Sequence, residues 1–211
     1  MGCPEEKIEK NTCGAALIKD PALARELIRS AKRGAGDLPV SVKTRIGYSK
    51  DELETWLPEL LAEKPAALTL HARTKKEMSL VPAHWDAVAR AVKLRDALSP
   101  ETVLVGNGDV KSLKEGRARV RETGCDGIMI GRAAIANPWL WAEHEPTMEE
   151  RMQVLVRHAE LADIHYGRFT GNVKKHITKI PSGFEGAKEL RVAIAEAHSL
   201  ADVVALARRF Q

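Results

Sequence analysis

The 211 residues carry 33 Lys and Arg against 29 Asp and Glu, a formal net charge of +4, with 44% hydrophobic and 29% charged residues. That balance excludes an intrinsically disordered chain, and 15 Gly and 10 Pro exclude a collagen-like or low-complexity one. No apolar run approaches the roughly 20 residues that cross a bilayer, and three cysteines (Cys3, Cys13, Cys125) without a charged-then-apolar leader argue against a secreted disulfide scaffold, so no membrane association and a cytoplasmic location are expected.

The chain opens on Met1-Gly2-Cys3-Pro4, a tight turn with no strand before it, as expected of a chain that starts at the end of a lost strand. Four short apolar or β-branched runs follow, at 39–43, 67–71, 102–106 and 127–130. They recur near the ~30-residue period of a strand-helix-strand unit, which predicts a parallel α/β pattern. Between them, Ser49-x-x-Glu52 and Ser112-x-x-Glu115 read as capping boxes at helix starts. Leu53, Trp56, Leu57, Leu60 and Leu61 form one buried helix face, and Trp85, Val88, Ala89, Val92 and Leu98 another, within a helix over 83–98.

Beyond Asn137-Pro138-Trp139 no strand is predicted. Thr147-x-x-Glu150 opens a helix with Met148, Met152, Leu155, Val156, Ala159 and Ala162 on one stripe. Further helices are predicted around 172–179, 185–197 and 200–210, with Pro181-Ser182-Gly183 between the first two. A boundary near residue 145 therefore separates an α/β domain, 1–144, from an all-helical domain, 145–211. A closed parallel barrel takes eight strands. The expected fold is the carboxyl-terminal half of a TIM (β/α)8 barrel, four parallel strands, followed by a small all-helical domain.

Polar residues stand where each predicted strand stops: Lys43 and Arg45, His71 and Arg73, Asn107-Gly108-Asp109, Gly131-Arg132. In a parallel barrel these positions gather at the carboxyl-end rim, where active sites are assembled. Singly, each has a structural explanation, as a solvated charge, an ordinary turn or a satisfied core histidine. Four in four successive strands predict a shared pocket. Asn107-Gly108-Asp109 and Gly131-Arg132 also suit phosphate capture by backbone amides and a guanidinium. No metal-ligand spacing stands out.

Gly2-Cys3-Pro4 with Lys7, Gly14-Ala15-Ala16-Leu17, Val42-Lys43-x-Arg45-x-Gly47, His71-x-Arg73-Thr74, Asn107-Gly108-Asp109, Gly131-Arg132-Ala133 and Asn137-Pro138-Trp139 together resemble the tRNA-dihydrouridine synthase family, in order and at compatible spacing. In the tail, Lys175-His176 and Gly186-Ala187-x-x-Leu190-Arg191 are similar to that family's helical domain. The resemblance implies a flavin barrel whose first half is absent here, reducing the C5=C6 bond of uridines in tRNA with FMN and NADPH. By the same resemblance Cys3 is the proton donor to C5 and Lys43 the flavin-facing cation. His71 and Arg73 match flavin-site residues, and Asn107, Gly108, Asp109, Gly131 and Arg132 the phosphate end. The implied parent is a monomer, and the fragment is expected to be inactive and to self-associate.

Between Arg168 and Arg191 there are six Lys or Arg against two Glu. Lys174, Lys175, His176, Lys179 and Arg191, with Lys7, are the candidates for tRNA backbone contact. Aromatic residues, at 4%, are too sparse for a stacking surface, so recognition by tRNA shape is expected. Two other readings compete: an FMN- or phosphate-binding barrel oxidoreductase acting on a small molecule, and a non-catalytic RNA-binding fragment. The first leaves Cys3 and the basic tail without a purpose.

Overall fold

The four predicted runs become four strands, β1 Ser41–Arg45, β2 Ala67–His71, β3 Val103–Asn107 and β4 Gly127–Met129. The structure, a computed structural model, describes residues 1–166 and 171–209, so Arg168 and Phe210 lie outside the described residues. The strands form one sheet in the order β1-β2-β3-β4, every neighbouring pair parallel. β1 begins later than residue 39. Pro39 has no N–H to donate to a ladder, so pairing starts beyond it and Arg45 comes inside the strand.

Helices α1 Glu6–Glu9 and α2 Pro21–Ala35 precede the sheet, and α3 Leu53–Leu61, α4 Trp85–Leu98 and α5 Leu113–Thr123 connect its strands. α2 goes beyond the elements predicted from sequence, yet its start is chemically plain: the Asp20 carboxylate accepts from Leu23 N at 3.0 Å, and Pro21 occupies the first turn. The Ser49 box does not form. Glu52 instead accepts from Tyr48 N and Asp51 from Leu53 N, so the helix starts only at Leu53. Ser112 does cap α5, accepting from Glu115 N at 3.1 Å.

One face of the sheet is sealed by these helices. Val42, Thr44, Leu68, Leu70 and Leu104 are buried together with Leu53, Trp56, Leu57, Leu60 and Leu61, as the helical spacing predicts. The Trp56 indole donates to Thr44 Oγ1 at 2.9 Å, which satisfies the one polar side chain on that face of β1. On α4 the predicted stripe is corrected at its end: Leu98 is exposed, and Ala91 and Arg95 are buried in its place. Cys125 packs in the same core. Four parallel strands with helices on one face fit part of a parallel β/α barrel.

The chain divides into two compact units, 1–130 and 131–211. The division falls earlier than residue 145, because β4 stops at Met129 and the next segments, α6 Arg132–Ala136 and a 3-10 turn Pro138–Ala142, pack on each other. The second unit continues with α7 Met148–Tyr166, α8 Gly171–Ile177, α9 Ala187–Glu196 and α10 Leu200–Arg208. Its core includes Met152, Leu155, Ala159, Ile177, Leu190 and Ile194, whereas Met148 is exposed. Thr147 and Glu150 form the predicted reciprocal cap, Glu150 N donating to Thr147 Oγ1 at 3.2 Å and Thr147 N to Glu150 Oε2 at 2.8 Å. Among the described residues no helix is long and apolar enough to cross a membrane.

Candidate active site

Register brings the polar strand ends onto one face. Arg45 is level with His71, His71 with Asn107, and Asn107 with Met129. Side chains alternate along a strand, and partners in register share a face. Lys43, Arg45, Thr69, His71, Val105, Asn107 and Met129 therefore all lie on the face opposite the helices. Exposure agrees: on that face Lys43, Val103 and Met129 are exposed, while Leu68, Leu70 and Leu104 on the other are fully buried.

Electrostatics on this face are dominated by cations. Burial, followed by the charges of Arg45, Lys43 and Arg73, pushes the His71 imidazole down to about 3, so the ring is neutral at pH 7. Arg73 Nη1 lies 3.3 Å from His71 Nε2. A guanidinium only donates, so Nε2 is the acceptor and the ring proton sits on Nδ1. Lys43 has an exposed side chain, yet partial burial and then the neighbouring Arg45 lower its ammonium below the ordinary lysine range.

Arg73 is turned inward. It is 2% exposed, donates from Nε to Val81 O at 2.7 Å, and pairs through Nη2 with Asp109. Asp109 also accepts from Ala83 N at 3.0 Å. The pair braces the β2–α4 loop against the β3–α5 loop. Asn107 donates from Nδ2 to Met129 O at 2.8 Å, joining β3 to the end of β4. Gly108 has φ +142°, and a Cβ there would stand 2.7 Å from that of Ala83. Side-chain and packing contacts thus already involve all three residues of Asn107-Gly108-Asp109.

The Cys3 segment is fastened to the same end of the sheet. Thr44 Oγ1 donates to Met1 O at 3.3 Å, Arg45 Nε to Gly2 O at 2.8 Å, and Ala15 N to Cys3 O at 2.9 Å. Gly14, at φ +64°, lets the chain approach: a Cβ there would lie 2.6 Å from Cys3 O. Cys3 itself is exposed. Arg45, a polar strand end to which the sequence assigns no role, joins this segment to the sheet together with Thr44.

Gly131 and Arg132 belong to the second unit. Arg132 is exposed, and a Cβ on Gly131 would meet nothing within 4 Å. Of the basic candidates, Lys7, Lys175 and His176 are exposed. Lys174 Nζ donates to Ala195 O at 3.3 Å and Arg191 Nη1 to Pro181 O at 2.9 Å, so both help hold the helices of the second unit. Lys179 is half-buried. The His176 ring stands edge-on to His158 at 6.1 Å, and burial followed by His176 lowers the His158 pKa.

Comparison with known proteins agrees with the motifs. The sequence pattern of the Dihydrouridine synthase (Dus) family matches residues 1–210. The chain is 40% identical over 219 residues to "Probable tRNA-dihydrouridine synthase 2" of Bacillus subtilis, covering all of this chain and 66% of that protein. It is 37% identical over 222 residues to "Probable tRNA-dihydrouridine synthase" of Staphylococcus aureus strain Mu50, with the same coverage. A Staphylococcus epidermidis protein of the same description is 37% identical over 218 residues. The chain thus spans about two thirds of the length of the curated relatives it matches.

Proposed function

Because the chain belongs to the dihydrouridine synthase family, we propose that it acts in the reduction of uridine to 5,6-dihydrouridine in tRNA, with FMN as cofactor and NADPH as reductant. The observation that carries this reading is the convergence of Lys43 and a neutral His71 on one sheet face with an exposed Cys3 at its carboxyl end. A face rich in cations, where the carboxylate acting on His71, that of Asp109, is already paired with Arg73, fits an anionic cofactor by the chemistry of its donors.

FMN bound there, re-reduced by NADPH, would supply the hydride that adds to C6 of the base. Lys43 would hold a bound flavin and supply positive charge that favours its anionic reduced form. His71, with its proton on Nδ1, offers a hydrogen-bond donor without adding charge. Cys3 gives its thiol proton to C5, which completes saturation of the double bond: one hydride to C6, one proton to C5. Gly131 and Arg132 are assigned to the phosphate end. Lys7, Lys175 and His176 present exposed donors for the tRNA backbone, with Lys174, Lys179 and Arg191 as further members of that basic set.

Among the described residues β1 pairs only with β2 and β4 only with β3. Both sheet edges are thereby open, and self-association of the 211-residue chain is expected in sedimentation. Little reduction is expected from the chain by itself. The test compares it with the same chain preceded by the coding sequence upstream of Met1, assaying dihydrouridine in unmodified tRNA. Flavin absorbance and Cys3-dependent product from the extended chain support the reading. An extended chain that binds no flavin and leaves tRNA unchanged overturns it.

A further inference from the structure

Arg45 is 6% exposed, and its guanidinium is committed to backbone carbonyls from two separate segments. Nε donates to Gly2 O at 2.8 Å, and Nη1 donates to Thr74 O at 3.0 Å and Met78 O at 3.3 Å. One acceptor is the residue before Cys3; the other two, Thr74 and Met78, lie in the β2–α4 loop that also holds Arg73. That loop is stiff in its own right. Thr74 N donates to Glu77 Oε2 at 2.7 Å, Glu77 N to Thr74 Oγ1 at 3.2 Å, and Glu77 pairs with His84 at 2.9 Å.

A planar fork with fixed donor directions ties two backbones together more rigidly than a flexible ammonium can. Cys3 lies within electrostatic reach of the same guanidinium. We infer that Arg45 is a positioning residue, which sets where the Cys3 thiol stands relative to His71 and Lys43 by clamping the Gly2 carbonyl to the β2–α4 loop. This rests on the proposed function for its purpose, but the clamp itself is testable without turnover.

The chain carries its own controls. Cys13 is exposed in the neighbouring segment and touches no part of the clamp, its thiol donating to Asn11 O at 3.3 Å, while Cys125 is buried and reports unfolding. Iodoacetamide labelling of the intact chain, read by mass spectrometry, gives the ratio of Cys3 to Cys13 alkylation. Arg45→Lys keeps the charge and loses the fork, so the ratio is expected to rise about threefold or more, with Cys125 still protected. A ratio within about 1.5-fold of the parent value overturns the inference.

Should Cys125 become reactive in Arg45→Lys, the unsubstituted chain decides. With ¹⁵N-arginine labelling, the Arg45 Nε–H signal is expected to shift when Cys3 is alkylated, while that of Arg73 stays in place. An unmoved Arg45 signal overturns the inference. In the upstream-extended chain, Arg45→Lys is expected to lower kcat about tenfold with KM for tRNA within about twofold, the mark of misplaced reacting groups rather than weakened binding. Absence of reduction in every form defeats the functional reading alone, since the alkylation ratio still settles the role of Arg45.

Discussion

Two buried arginines mark opposite ends of the sheet and are handled in opposite ways. Arg95, at the amino ends of β3 and β4, pairs with Asp126 and with Asp96 at 2.6 Å, and donates to Thr102 O at 2.7 Å. Asp126 in turn accepts from Leu104 N at 2.7 Å. Hydrogen bonding to Asp126 raises the Arg95 pKa. Arg45, at the carboxyl end, faces three carbonyls, and burial followed by the charge of Arg73 lowers its pKa. The amino end neutralises its buried charge, as a structural joint does. The carboxyl end keeps positive potential, which is what a site for an anionic cofactor requires.

The contrast can be broken most severely at the amino end. Arg95→Met should cost about 3 kcal/mol in urea unfolding, the low end of the range for a broken buried pair because Asp126 is partly exposed to water. Flavin binding by the extended chain should not change. At the carboxyl end, Gly108→Ala should cost about 1–3 kcal/mol, since alanine disfavours that φ and meets the Ala83 methyl. A variant melting with the parent would show that the β3–α5 loop can shift at no cost.

Lys43→Ala separates the two ends by function. Its side chain is largely exposed, so stability should stay within about 0.5 kcal/mol, while flavin affinity in the extended chain falls about tenfold, about 1.4 kcal/mol. Fluorescence titration measures it, and normal flavin content with normal reduction rates would remove the role assigned to Lys43. The same face can also be tested through pH dependence. The unfolded His71 takes a proton near 6.5 and the folded one only near 3, so between these values the unfolded state binds more protons and stability falls as pH is lowered. Thermal melts of His71→Asn from pH 7 to 4 should therefore show a shallower acid-side loss than the parent. An equal slope would mean that His71 titrates normally.

Much of this was legible before any coordinates. The four strands stand at the predicted runs, and the α3 stripe from Leu53 to Leu61 is buried residue for residue. The misses have two causes. Leu98 and Met148 fit the helical period but sit at helix ends, where the neighbouring element no longer covers them. Ser49 fits a capping box, but Glu52 answers Tyr48 instead. At the site, Lys43 and His71 were readable as strand-end polar residues, whereas the use made of Arg45, Arg73 and Asn107 was not. Arg45 and Gly2 are 43 residues apart, and no local pattern reports such a bond.

The order of residues by itself determined the four strands, the helix starts at Ser112 and Thr147, and the family motifs, because each depends on neighbours a few positions away. Only the tertiary structure decided which polar residues stay exposed and which brace the loops. That choice follows from parallel register and from burial. Register of Arg45 with His71 and of His71 with Asn107 assigns a common face, and enclosure then turns His71 neutral, binds Arg73 to Asp109, and leaves Lys43 and Cys3 exposed.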